Sequence, residues 1–146
     1  SFKFEDLTFR GTIEFRSSCC QPIADSMTIA AFHMGLIERL DELKQLLAED
    51  DIIYQHGYSA SELQKMMSKR NIPSFIEKER LQEQLQRILL IAKAGLISRD
   101  QGEEKLLEPL FIRAEKLTNP AKEMLTGLEN GRTMKDFILE YSSVVR

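Results

Sequence analysis

The feature that most constrains this chain is a change of hydrophobic period at Pro22. Before it, apolar and polar residues alternate. Ile13 and Phe15 fall on one side of an extended chain; Thr12, Glu14, Arg16 and Ser18 fall on the other. After it, apolar residues recur every three or four positions, the spacing of a helix face. Proline closes the extended piece because its ring fixes φ and removes a backbone donor. The expected architecture is mainly α, with one or two N-terminal β-strands (residues 1–21) leading into a helical region (residues 22–146).

The extended part has two segments. "FKFEDLTF" (residues 2–9) alternates at first, and "TIEFRSSC" (residues 12–19) alternates better. Gly11 between them fits either a bulge within one strand or a turn between two. One or two strands are not stable alone in water. A strand with one apolar and one charged face belongs in a larger antiparallel sheet. The expectation is therefore a fragment of a bigger protein, with the remaining strands upstream.

The helical region reads as about six helices. The first runs from about Ala24 to Glu49, with Ile29, Phe32, Leu36, Leu40, Leu43 and Leu47 as its core stripe. Ser59 with Glu62 and Ser74 with Glu77 fit capping boxes, opening helices to about Lys69 and Ile97. "ILLIAKAGLI" (residues 88–97) is apolar nearly all round and is expected to be the buried centre. Ser98 with Gln101 suggests a third cap, and Pro109 should kink or restart the helix that follows. Asn119 and Pro120 place an N-cap beside an N1 proline. That helix should end at Asn130-Gly131, and Thr133 should cap a last helix to about Tyr141.

Composition excludes several function classes. The chain has 146 residues, the size of one domain, and a net charge of −3 without a basic block. Nucleic-acid and anionic-membrane surfaces need clustered Lys and Arg, so neither partner is expected. No apolar run reaches the roughly 18–20 residues of a membrane span. The first ten residues alternate and carry four charges, unlike a signal peptide. Cys19 and Cys20 are adjacent. Neighbouring Cα atoms lie about 3.8 Å apart, short of the roughly 4.4–6.8 Å a disulfide needs. Two reduced thiols in a cytoplasmic protein are the expectation. Neither has a nearby His to make it a nucleophile.

Glu14 and Arg16 are the sharpest candidates for chemistry. Two residues apart on a strand, they share a face at roughly 6.6–6.8 Å. A carboxylate oxygen suits Mg²⁺, and a guanidinium can clamp a phosphate with two parallel hydrogen bonds. Together they fit phosphoryl transfer from a nucleotide. The same spacing also fits a solvated strand face with cross-strand ion pairs. Arg10 joins that face only if Gly11 keeps the register. Gln21, at the strand-to-helix junction, is either a pocket residue or a turn residue. His33, between Phe32 and Met34, reads as a half-buried core histidine.

The string "GTIEFRSSCCQPIADSMTIAAFHMGLIERLDEL" (residues 11–43) carries more than the Glu-x-Arg pair. It resembles glutamate–cysteine ligases (γ-glutamylcysteine synthetases), in which a strand Ile-Glu-x-Arg leads through a short polar stretch into a long helix. It resembles in particular the version in the bifunctional glutathione synthases of Gram-positive bacteria and their single-function relatives. The resemblance implies an ATP-dependent carboxylate–amine ligase that joins glutamate and cysteine through γ-glutamyl phosphate, with Mg²⁺. It further implies that Glu14 is a metal ligand in the nucleotide site. Arg16 would contact the transferred phosphate as a catalytic and nucleotide-binding residue. Cys19 and Cys20 receive no role. Because the other site residues belong to strands outside this sequence, the fragment alone is expected to be inactive. The alternatives are another ligase of the same superfamily, with a different amine, and a non-catalytic helical module whose strands pair with a partner's sheet.

Overall fold

The computed structural model describes residues 20–52 and 56–144. The expected strand segment, residues 1–19, lies outside the described residues. From Cys20 on, the chain is helical, with no β-strand among the described residues. A 3-10 turn (Ile23–Asp25) leads into α1 (Met27–Glu38) and α2 (Leu40–Ala48). After α3 (Ala60–Met67) comes the longest helix, α4 (Lys78–Ser98). Another 3-10 turn (Glu103–Leu107) then precedes α5 (Glu108–Lys116), α6 (Pro120–Glu129) and α7 (Met134–Ser142). No helix among the described residues is long and apolar enough to cross a membrane.

The core is built where α1 crosses α4. Ala31, Ala92, Leu96 and Leu107 are buried together there, with Phe32, Leu36, Leu110 and Phe111 packed around them. The crossing is a backbone contact. A methyl group on Gly35 would lie 2.1 Å from the carbonyl oxygen of Ala92, and one on Gly95 would lie 2.1 Å from that of Gly35. Only glycine permits this approach. The buried stripe of α1 is accordingly Thr28, Ala31 and Gly35, not the expected run of large residues. Phe32 and Leu36 flank the contact and fill its sides, whereas Leu40 and Leu47 are exposed.

The expected single helix over residues 24–49 is broken at Arg39, whose φ of −127° and ψ of 38° are not helical. Asp41 and Glu42 then occupy the first turn of α2, where carboxylates complement the helix dipole. Arg99 pins the break from the far side, bonding Glu38 at 2.9 Å and Glu103 at 2.8 Å. Beyond it, Leu46 is buried, and Gln84 of α4 donates to Asp50 at 3.3 Å.

Two expected caps do not form. Ser74 lies in a turn in which the Ile76 N–H bonds the Pro73 carbonyl, and α4 starts after Glu77 with no side-chain cap. Ser98 instead ends α4, donating its hydroxyl to the Gly95 carbonyl at 2.6 Å. Asp100 and Gly102, both at positive φ, then turn the chain. Nor is α4 buried all round, since Leu90 and Ile97 are exposed. The remaining signals hold. Ser59–Glu62 and Thr133–Asp136 are complete capping boxes, Pro109 restarts the chain as α5, and the Asn119 side chain accepts from the Lys122 N–H at 2.9 Å. Gly131 closes α6 at φ +87°.

The contact at Gly35 and Gly95 is expected to be the most mutation-sensitive point of the fold. Gly35→Ala or Gly95→Ala should lower unfolding free energy by about 3 kcal/mol or more, because the obstacle is main chain and cannot rotate away. Leu90→Gln, on the exposed face of α4, should change it by no more than about 0.5 kcal/mol. Urea unfolding followed by far-ultraviolet circular dichroism measures both.

Candidate functional site

Of the residues singled out in the sequence, Arg10, Glu14, Arg16 and Cys19 lie outside the described residues. Cys20 is exposed and free. Gln21 and His33 are described, and the structure brings them to one cavity.

The cavity is prepared by the turn that follows Gln21. Pro22 is buried, and the Asp25 N–H bonds its carbonyl at 2.9 Å. This tight turn directs the Asp25 carboxylate inward. Arg113 of α5 meets it there, with Nη2 donating to Asp25 Oδ2 at 2.7 Å. Arg113 Nη1 donates to Gln21 Oε1 at 3.2 Å, and Nε lies 3.9 Å from Glu123 of α6. One guanidinium thus ties the junction before α1 to α5 and α6. The pair is deeply buried, with side-chain exposures of 9 % for Arg113 and 2 % for Asp25.

The cavity opens beside this pair, with a volume of about 520 Å³. Phe32 of α1, Leu85 and Ile88 of α4, and Leu110 of α5 supply apolar walls. Gln21, His33, Lys69, Asn71 and Lys122 supply polar groups. No carboxylate is among the described lining residues. Leu117, whose left-handed backbone (φ 46°) ends α5, also lines it. Burial pushes the His33 imidazole below its ordinary value, which favours the neutral form. The Gln21 amide is held in one orientation. Turning its NH₂ toward Arg113 would set donor against donor, so Oε1 stays on the guanidinium. Its Nε2 is buried, with no hydrogen-bond partner among the described residues.

This arrangement can bind and position. The described residues contain no group of three His, Cys, Asp or Glu side chains able to hold a metal ion. The sequence does not announce the Asp25–Arg113 pair, although Arg113 carries a signal. It stands three residues after Leu110 and four before Leu117, on the apolar side of α5. Asp25 carried none. No protein-family profile, curated protein or solved structure matches the chain.

Two predictions follow the geometry. Removing one partner of a buried ion pair strands the other, so Asp25→Asn or Arg113→Met alone should cost about 3–5 kcal/mol. The double variant Asp25→Leu/Arg113→Met should recover most of that in the same urea titration. His33 adds a pH dependence. The unfolded chain takes up a proton at about pH 6.5 more readily than the folded one, so stability falls as pH drops through that value. Glu62 and Asp136, held below the usual carboxylate range by Ser59 and Thr133, do not titrate in that window. His33→Gln should therefore shrink the difference in melting temperature between pH 7.5 and 5.5.

Proposed function

We propose that this chain is the C-terminal part of an ATP-dependent carboxylate–amine ligase, most specifically a glutamate–cysteine ligase of the cytoplasm. The observation that carries this reading is the stretch Ile13-Glu14-Phe15-Arg16 joined through Ser17–Gln21 and Pro22 to a long helical region. The anchoring of Gln21 and Asp25 by Arg113 supports it. The chain is fixed five residues after Arg16, and positioned charge is what phosphoryl transfer demands of a protein.

In this reading, the γ-carboxylate of glutamate attacks the terminal phosphorus of ATP and ADP leaves. The amine of cysteine then attacks the acyl phosphate, and phosphate leaves as the amide forms. Mg²⁺ would neutralise charge on the phosphates. Glu14 offers it one hard oxygen ligand, and further ligands must come from elsewhere in the protein. Arg16 would hold the phosphoryl group by two parallel hydrogen bonds as charge moves onto it.

A second reading is favoured by one face of α1. Met27, Met34 and Ile37 are exposed along it and suit a helical interaction module. ADP release by the full-length protein, measured with glutamate, cysteine and Mg²⁺, separates the two. The ligase reading expects Glu14→Ala to lower kcat at least about a thousandfold, and Cys19→Ser to keep most activity. Normal turnover and Mg²⁺ dependence in Glu14→Ala would refute the assignment. Absence of ADP release with any amine acceptor would leave the interaction module.

A further inference from the structure

We draw no further inference here: the strongest candidate, the exposed apolar stripe of Met27, Met34 and Ile37 along α1, is an unpartnered helix face, and nothing in the structure shows what covers it.

Discussion

The fold depends on main chain meeting main chain where α1 crosses α4. Gly35 and Gly95 let the two helices approach until backbone carbonyls fill the space that side chains usually occupy. Dispersion falls steeply with distance, so close approach multiplies weak contacts along both helices. It also dictates where larger residues go. Phe32 and Leu36 are displaced to the sides of the contact, where they meet Leu110 and Phe111. The C-terminal halves of α1 and α4 touch, whereas their N-terminal halves both face the cavity. The cavity and the tight crossing are thus two ends of one packing arrangement.

The Asp25–Arg113 pair closes the other end. Burying two charges gains little stability over a well-packed apolar pair, but it fixes direction. A guanidinium offers donors on a rigid plane, so it sets the angle as well as the distance of whatever it holds. Here it holds a turn and the amide just before it. The turn before α1 is therefore joined to the helical region by a directional contact.

Much of this was legible in the sequence, and the failures have physical causes. Caps were readable where the hydroxyl had no better partner, as at Ser59 and Thr133. Ser98 failed because its hydroxyl reaches back to a carbonyl of the helix it ends. The large apolar residues of α1 point one position past its buried stripe of Thr28, Ala31 and Gly35, because the small residues make the contact. In a backbone-to-backbone crossing, smallness marks the contact and size marks its flanks. The break at Arg39 has neither proline nor glycine to announce it, and only Asp41 and Glu42 hint at a second start. Glu14 and Arg16, the sharpest reading of the sequence, fall outside the described residues. Of the site, Gln21 stands out in the sequence by its position and His33 by its neighbours. The cavity joining them depends on tertiary packing that no local pattern encodes.

The mutual contact of Gly35 and Gly95 has a consequence for how such a chain could diverge. A side chain that grows against another side chain can be accommodated by a second, shrinking change. Here each Cα faces the other helix's carbonyl, and no substitution shortens a carbonyl. Neither glycine can drift with help from the other. Only a wider spacing of the helices would admit a larger residue, and widening would reshape the cavity at their far end. The two positions constitute an evolutionary ratchet: the helix spacing and the shape of the cavity are inherited together or lost together.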